Sequence, residues 1–361
     1  VMLAADEQII LRLGRGFAPL SLHTKKRSSK KILALGAQQK STFALAFDEH
    51  IILSPHIGDL GSLETFEHFL KVLESFLRIY EFEPDVIVCD RHPAYETSKW
   101  AKEYVKKHKN VKLLEVQHHH AHALACMAEH SLEGEALAFC FDGSGYGEVD
   151  GEVSFWGGEV LRVTPTSSKR EYHLQNFSLL GGDKASKEPR RIALALLFEL
   201  YSLEEIVAMQ TPLVRSFTNA ELRTYYAMHT KNLNTPKSSS IGRLFDGVYA
   251  LSENPKALEE LAYEGESGLI LEANAREFGS NEHYSYSIDG GMISYDAMIK
   301  EIVHEKNKKQ IATKFINTLV ETVVTISKRH SELPIILSGG VFQNKTLLSK
   351  TLQALKKEKI N

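Results

Sequence analysis

The sequence contains 361 residues, of which 43% are hydrophobic and 25% are charged, a composition typical of a folded globular protein large enough for two or three domains. Its 43 basic and 46 acidic residues leave a formal net charge of −3, so there is no broad positive field for non-specific nucleic-acid binding, and nucleic acid is not expected as a partner. No apolar run reaches the roughly 20 residues that span a bilayer, and no signal-peptide pattern is present, so we expect a cytoplasmic protein without a membrane partner.

The first 30 residues contain few signs of a domain of their own. Residues 9–13 are strand-like, whereas the basic run from Lys25 to Lys31 is typical of a solvated linker. The first residue is valine rather than methionine, so we expect that a preceding segment has been removed. Residues 1–30 are therefore interpreted as the tail of another domain plus a linker.

A first lobe is predicted over residues 31–134. Apolar runs at residues 32–36, 42–47 and 51–54 indicate three antiparallel strands, with a tight hairpin turn at residues 48–50. The pattern then predicts, in order, a helix at residues 63–80, a strand at residues 86–89, a helix after Pro93, a strand at residues 111–116 and a further helix. This order is typical of a ribonuclease-H-like lobe of the actin-like and sugar-kinase-like (ASKHA) fold class, which is an α/β architecture.

A second ribonuclease-H-like lobe is predicted over residues 135–361. Its first strand covers residues 136–142, and residues 153–163 are expected to supply the next two strands. Mostly helical patterns at about residues 183–283 indicate a helical insertion. The prediction is completed by a helix at residues 311–329, a closing strand at residues 334–338 and a final helix at residues 345–357.

A dense histidine cluster follows the strand at residues 111–116, with four imidazoles in five residues. If this segment is helical, His118 and His122 lie at positions i and i+4 on one face, close enough to share a metal ion. The helix should open at the carboxyl edge of a sheet, where α/β proteins place ligands. The alternative is that these histidines are solvated or satisfy free backbone amides at a helix start.

An aspartate and a glycine-rich segment follow the first strand of the second lobe. Glycines allow backbone amides to approach a phosphate closely, and an aspartate at the end of a strand can bind or orient a metal. We therefore predict Asp142 as a metal ligand and catalytic residue, and Gly143, Ser144 and Gly145 as nucleotide-binding residues. A structural turn is the alternative.

Two further loops offer groups for phosphate binding. The loop between the first two strands of the first lobe contains Lys40 and Ser41, although a plain hairpin loop explains it nearly as well. Gly339 and Gly340 separate the closing strand from a helix start, so helix amides and Asn344 would face a nucleotide. Three such loops, each at the end of a strand, make a stronger case together than any one alone.

Weaker candidates lie in the insertion. Gly181, Gly182 and Asp183 precede an apolar helix and would contact a phosphate or a metal, whereas their alternative role is a helix cap. Glu264, in a polar break between helices, is predicted as a nucleotide contact. In the first lobe, Asp90 could orient a metal-bound histidine, although a solvated loop explains this segment better.

With these segments laid out, the sequence resembles the C-terminal, TsaD-like domain of the HypF family of hydrogenase-maturation carbamoyltransferases. The resemblance extends over about residues 32–350 with its segments in family order, and residues 1–24 are similar to the end of the YrdC-like domain that precedes it. The matching segments are residues 116–122, 142–147 with 156–159, 181–183 with Arg190, 239–246, 263–265 and 337–344.

The resemblance implies an activity and its partners. A YrdC-like domain makes carbamoyl-adenylate from carbamoyl phosphate and ATP, and the TsaD-like domain transfers the carbamoyl group to the C-terminal cysteine thiolate of HypE, on the way to the cyanide ligands of nickel–iron hydrogenase. His118 and His122 would bind a divalent metal, iron or zinc, and Asp142 would support the metal or the phosphates. The glycine loops would hold the adenylate.

The resemblance also predicts that the chain is a fragment. Almost all of the YrdC-like domain is absent, so we expect that the chain makes no carbamoyl-adenylate of its own. The family's last metal-binding aspartate lies beyond the segment at residues 337–344, and the sequence ends at Asn361 before reaching it, so the metal site is expected to be incomplete.

Three other functions stay open. A TsaD-like enzyme that transfers a threonylcarbamoyl group to tRNA shares the two histidines, but the segments at residues 142–147 and 156–159 and the weak positive field speak against it. A small-molecule kinase of the same fold class needs no such histidine pair. A non-catalytic fragment that only docks to HypE is the third.

Overall fold

A computed structural model describes residues 2–4, 7–14, 16–149, 151–252 and 255–360 of the chain, without the side chains of residues 2–4, 7, 25 and 26. Part of the predicted domain tail, including Arg15, therefore lies outside the described residues. The chain divides into two compact units, with Gln8–Glu133 in unit 1, Gly134–Asn361 in unit 2 and the first residues split between them. Two short strands, β1 (Met2–Ala4) and β2 (Glu7–Ile9), precede the main elements.

The described residues of unit 1 form a four-stranded sheet and three helices. The strand order is β4-β3-β5-β6, with β3 antiparallel to β4 and the pairs β3–β5 and β5–β6 parallel. In chain order the elements are β3 (Leu20–Leu35), β4 (Phe43–Leu53), α1 (Leu63–Ile79), β5 (Val86–Asp90), α2 (Glu96–Lys107), β6 (Lys112–Val116) and α3 (His118–Glu129).

The first two of these strands differ from the prediction. The hairpin turn predicted at residues 48–50 is wrong, because Phe43–Leu53 forms a single strand. β3 is 16 residues long and supplies β4 with partners from end to end. Asp48 takes a positive φ of 47° at a register shift, which is the behaviour of a bulge and not of a turn. The basic run Lys25–Lys31 consequently belongs to β3 instead of a solvated linker.

The remaining elements of unit 1 are confirmed. α1 begins after Ser62, whose side chain accepts a hydrogen bond from the Thr65 amide. The helix buries Phe69 and Leu73 against the sheet, and burial of one such side chain contributes roughly 1.5–3 kcal/mol. β6 ends at Val116, and only Gln117 lies between this strand and α3, which begins at His118.

The described residues of unit 2 form an eight-stranded sheet with a set of helices. The strand order is β10-β11-β8-β9-β13-β12, and β7 pairs with both β8 and β14. The strands are β7 (Ala136–Val149), β8 (Glu152–Thr164), β9 (Ser167–Leu174), β10 (Phe177–Ser178), β11 (Lys237–Ser238), β12 (Ser287–Asp289), β13 (Met292–Ser294) and β14 (Ile335–Ser338). The α-helices are α4 (Pro189–Phe198), α5 (Leu203–Met209), α6 (Pro212–Arg215), α7 (Asn219–Thr230), α8 (Ile241–Leu251), α9 (Glu266–Arg276), α10 (Asp296–His304), α11 (Lys308–Arg329) and α12 (Lys345–Lys357), with 3-10 helices at Gly182–Ser186, Pro255–Leu258 and Gly340–Gln343.

Two predictions about the start of unit 2 are wrong. The segment from Asp142 to Gly147 is not a loop after a strand but lies inside β7, where the pairing with β8 shifts register between Phe141 and Gly145. Residues 153–163 supply one strand, β8, and not two, because this long strand pairs with β7 on one side and β9 on the other.

The predicted helices of unit 2 are confirmed. The insertion is mostly helical from α4 to α9, α11 covers the predicted residues 311–329, and α12 has the predicted bounds. The mixed α/β class with a sheet in each part is therefore confirmed. Among the described residues, no helix has the length and apolar character to cross a membrane.

Candidate active site

The histidine cluster begins α3 as predicted. Gln117 is the N-cap residue, and its side-chain oxygen accepts a hydrogen bond from the His120 amide at 2.9 Å. His118 and His122 lie one turn apart, and their ring centroids are 4.9 Å from each other. Two partly buried imidazoles are thus held side by side at the start of a helix that follows β6, in the arrangement that a shared metal ion requires.

A carboxylate lies against the first of these imidazoles. Asp90, at the end of β5, places Oδ2 2.6 Å from Nδ1 of His118, and the two side chains are only 8% and 13% exposed. The sequence favoured a solvated loop at this position over an orienting role for Asp90. The signal that could have found it is positional: Asp90 ends a buried strand that runs parallel to β6, and β6 leads into α3.

The histidines next to this pair are oriented differently. His119 is fully buried, and its Nδ1 lies 3.1 Å from the side-chain nitrogen of Gln117. After β5, His92 stacks on Tyr95 with 4.0 Å between ring centroids, and burial lowers the pKa of His92 although the charge of Asp90 opposes that shift. His118 and His122 are therefore the better placed ligands in this part of unit 1.

In unit 2, Asp142 is held by backbone amides. Its Oδ1 accepts hydrogen bonds from the amide of Gly143 at 2.7 Å and from that of Gly340 at 3.3 Å. Gly340 begins the 3-10 helix that follows β14, and β14 pairs in parallel with β7. The aspartate of the β7 bulge and the glycine pair of residues 339 and 340 therefore belong to one cluster, because β14 lies beside β7.

Close backbone contacts explain several glycines of this cluster. A Cβ atom on Gly339 would lie 2.3 Å from the carbonyl oxygen of Phe141, and the φ of Gly339 is 98°. A Cβ atom on Gly242 in α8 would lie 2.7 Å from Cα of Gly143. No side chain fits at these distances, so packing by itself already requires glycine at both positions. The glycines are therefore no evidence for phosphate binding.

The segment at residues 156–159 has a structural role. The ring of Trp156 covers Gly147, where a Cβ atom would lie 2.3 Å from the indole, and the Arg170 guanidinium lies 4.2 Å from the indole centroid. Glu159 is fully buried and accepts hydrogen bonds from Arg170 and Ser239, each at 2.5 Å. A buried carboxylate with these partners stabilises the junction of β8, β9 and the segment before α8.

Two charged side chains lie beside Gly143 of β7. A Cβ atom on Gly143 would lie 3.5 Å from a carboxylate oxygen of Glu264 and 3.7 Å from Nη2 of Arg243, a residue that the sequence analysis missed. Arg243 pairs at 3.0 Å with Asp246, which is 1% exposed and whose pKa is raised by burial. Glu264 thus lies beside the predicted nucleotide segment, whereas Asp246 is an internal partner of Arg243.

The prediction for Gly181 and Gly182 is not supported by their amides. Gly181 donates to the carbonyl oxygen of Asn234 at 3.0 Å, and Gly182 donates to that of Leu179 at 3.0 Å. Both residues have left-handed φ angles, of 86° and 61°. Both amides therefore donate within the chain, and a phosphate or metal contact by these two residues stays a prediction. Asp183 is exposed in the 3-10 helix that follows.

Other predicted nucleotide residues differ in accessibility. Lys40 and Ser144 are exposed, whereas Ser41 is 1% exposed and its hydroxyl has no hydrogen-bond partner among the residues that the structure describes. Gly145 is buried within β7. Asn344 is the N-cap of α12 and accepts a hydrogen bond from the Leu347 amide at 2.9 Å, so its side chain already has a structural role.

Comparison with known families gives matches over most of the chain. Residues 138–361 match the family model described as "Carbamoyltransferase, Kae1-like Domain, second subdomain", and residues 27–129 match the one described as "HypF Kae1-like domain". Carbamoyltransferase HypF of Synechocystis sp. is 36% identical to this chain in an alignment that covers 99% of this chain. Probable carbamoyltransferase HypF of Methanocaldococcus jannaschii is 31% identical, and that alignment also covers 99% of this chain. The chain spans about half of each of these relatives, 48% and 47%.

Solved structures give the same match. Full-length HypF in a phosphate- and nucleotide-bound form aligns with a TM-score of 0.90 and 30% identity, over 99% of this chain and 56% of that one. HypF of T. kodakarensis aligns with a TM-score of 0.88 and 28% identity, over 98% of this chain and 48% of that one.

Proposed function

Because the chain belongs to the HypF carbamoyltransferase family, we propose that it performs carbamoyl transfer from carbamoyl-adenylate to the C-terminal cysteine thiolate of HypE, in the maturation of nickel–iron hydrogenase. A YrdC-like domain supplies the carbamoyl-adenylate. The observation that carries the proposal is the imidazole pair of His118 and His122 at the start of α3, one member of which lies against a carboxylate.

The donor set fits a divalent metal. Imidazole nitrogens suit iron and zinc, and a histidine whose second ring nitrogen lies against a carboxylate is the usual form of such a ligand. We propose His118 and His122 as metal ligands and Asp142 as the residue that supports the metal or the phosphates. Asp142 is a suitable carboxylate because two amides hold one of its oxygens in place.

The adenylate is proposed to bind through the glycine-rich part of unit 2. The amides of Gly143 and Gly340 donate to Asp142, and Ser144, Gly145 and Gly339 are their neighbours in the chain. We propose that these two glycine-rich segments form an anion-binding concavity. Glu264, which lies beside Gly143, offers a carboxylate to the neutral hydroxyls of a nucleoside. Lys40, with its exposed ammonium group, stays a predicted phosphate contact.

The chemistry needs no nucleophile from this chain. The HypE thiolate attacks the carbamoyl carbon, the bond from that carbon to the phosphate oxygen breaks, and AMP leaves with the electron pair. When bound, a divalent metal would supply stabilisation of the negative charge on the phosphate. The amides around Asp142 keep that region of β7 in a fixed arrangement, so little reorganisation is needed at the moment of transfer.

The test is transfer by the purified chain. The chain is supplied with carbamoyl-adenylate and HypE, and the mass of the HypE tail is measured. We expect the mass increase of one carbamoyl group in the wild type, and its loss in His118→Ala with His122→Ala. The control is His130→Ala, which removes an exposed histidine at the end of α3 and should transfer at the wild-type rate.

The other outcomes separate the alternatives. Transfer to tRNA instead of HypE would favour the TsaD-like function. Tight HypE binding without transfer, in a chain loaded with zinc or iron, would favour a docking fragment. Normal transfer by the double histidine variant would disprove the metal assignment.

A further inference from the structure

The contact between Asp90 and His118 is fixed from both sides. Oδ2 of Asp90 lies 2.6 Å from Nδ1 of His118, while Oδ1 accepts a hydrogen bond from the His92 amide at 2.8 Å. The carbonyl oxygen of Asp90 accepts a hydrogen bond from Oγ of Ser98 at 2.9 Å, and Ser98 is fully buried in α2. Both the carboxylate and its backbone are therefore held at the end of β5, so the carboxylate cannot easily turn away from the imidazole.

This contact determines the tautomer of His118. An ionised aspartate only accepts hydrogen bonds, so Nδ1 of His118 must carry a hydrogen. In a neutral imidazole the lone pair is then on Nε2, which is the form that binds a metal through Nε2.

The next residue of the helix has the opposite tautomer. The side-chain oxygen of Gln117 is identified by its bond with the His120 amide, because an N–H donor can only face the oxygen of the side-chain amide. The side-chain nitrogen of Gln117 therefore faces Nδ1 of His119 at 3.1 Å and donates to it. Nδ1 of His119 is then an acceptor, and the hydrogen of that ring is on Nε2. The adjacent residues His118 and His119 therefore have different tautomers, because His118 contacts Asp90 and His119 contacts Gln117.

We propose that Asp90 is a positioning residue for the metal site, which sets the tautomer and ring orientation of His118. The proposal rests on the metal role of His118 given above. It extends that role to a residue of β5 that contacts no substrate, and it assigns the capping residue Gln117 the task of keeping His119 out of the ligand set.

The tautomer itself is measured first. Nitrogen NMR of the 15N-histidine-labelled chain without metal, at a pH where the imidazoles are neutral, is expected to show the hydrogen of His118 on Nδ1 and that of His119 on Nε2. A His118 hydrogen on Nε2 would overturn the proposal, and this measurement needs no variant that has to fold.

Metal affinity is measured second, by titration of the chain with Zn²⁺ against a chromophoric chelator. Asp90→Asn keeps the shape of the side chain but allows it to donate, so His118 can adopt the other tautomer. We expect a 10- to 100-fold loss of Zn²⁺ affinity, the range typical of such outer partners, and recovery of part of it in Asp90→Glu. The matched control is Asp85→Asn, which changes an aspartate just before β5 that accepts a hydrogen bond from the Lys31 amide.

The two proposals fail in different ways. Equal Zn²⁺ affinity in wild type and Asp90→Asn, with HypE carbamoylation retained, would overturn the positioning role and leave the proposed function standing. No binding of Zn²⁺ or of Fe²⁺ by the wild type would overturn the metal role of His118 and, with it, the positioning role of Asp90. A circular dichroism spectrum identical to that of the wild type is required of each variant before its affinity is compared.

Discussion

A small polar cluster of partly buried side chains in unit 2 contains a histidine. Nδ1 of His229 lies 3.2 Å from Oγ of Ser178, and the ammonium group of Lys237 donates to the same oxygen at 2.9 Å. Glu199 lies 3.9 Å from the imidazole. Burial lowers the pKa of His229, the carboxylate of Glu199 opposes this shift, and the charge of Lys237 adds to it.

The lowered pKa of His229 predicts a pH dependence of stability. The folded state favours the neutral imidazole, so this stabilisation is present above the unfolded pKa of about 6.5 and is lost as the pH falls through the folded pKa. We expect His229→Gln, which keeps a hydrogen-bonding group near Ser178, to reduce the loss of unfolding free energy between pH 7.5 and pH 5. The reduction should be about 1.4 kcal/mol for each unit by which the two pKa values differ.

Urea unfolding at both pH values measures this effect. The matched control is His304→Gln, which makes the same substitution at an exposed position in the last turn of α10. Parallel loss of stability in wild type and His229→Gln would contradict the prediction.

At the scale of elements, the long strand β3 keeps residues 48–50 of β4 extended where their composition predicts a turn. Residues 48–50 carry the polar side chains of a turn, yet the strand continues because β3 extends beyond this point and offers hydrogen bonds on the other side. The register shift between β3 and β4 lies at Asp48, which has a positive φ. The carboxylate of Asp48 pairs with Arg27 at 2.9 Å. Both side chains are at least half exposed, so this pair adds little stability.

The conformation of Asp48 can be tested with two substitutions. Asp48→Val places a β-branched residue at a positive φ and should cost about 1–2 kcal/mol of unfolding free energy. Asp48→Gly removes the same ion pair but accepts the positive φ, so we expect a change of less than about 1 kcal/mol. Urea unfolding of the two variants gives the comparison, and equal destabilisation would show that the ion pair and not the backbone conformation matters.

At the scale of the whole molecule, charge argues against one of the alternative functions. The formal net charge of −3 gives no overall attraction for a phosphate backbone, and a tRNA-modifying enzyme gains most of its affinity from such attraction. The bulge of β7 and the partly buried Trp156 lie in the segments at residues 142–147 and 156–159, which on sequence grounds speak against a TsaD-like function.

We therefore expect weak binding of tRNA by this chain. Fluorescence anisotropy with labelled tRNA at about 0.15 M salt should show a Kd no tighter than that of typical non-specific binding, about 10⁻⁴–10⁻⁶ M. HypE in the same buffer is the comparison ligand. Binding of tRNA with a nanomolar Kd and a steep salt dependence would favour the tRNA-directed alternative.

The order of helices and strands follows from local spacing, which is why most of it could be predicted. The pairing of His118 with His122 needs only the 3.6-residue helical repeat, and α12 needs only its own apolar periodicity and Asn344 as a cap. The hairpin at residues 48–50 and the loop at residues 142–147 were predicted wrongly, because local composition does not reveal how far a partner strand extends.

The sequence by itself determined the fold class, the segments that resemble the HypF family, and the placement of His118 and His122 on one face of a helix. Each of these depends on residues that are close together in the chain. The tertiary structure alone decided which groups surround them. Asp90 reaches His118 across 28 residues because β5 and β6 run parallel and end at one edge of the sheet. Gly340 reaches Asp142 across 198 residues because β14 lies beside β7. Contacts at such separations depend on which strands become neighbours, and that choice depends on packing over the whole sheet.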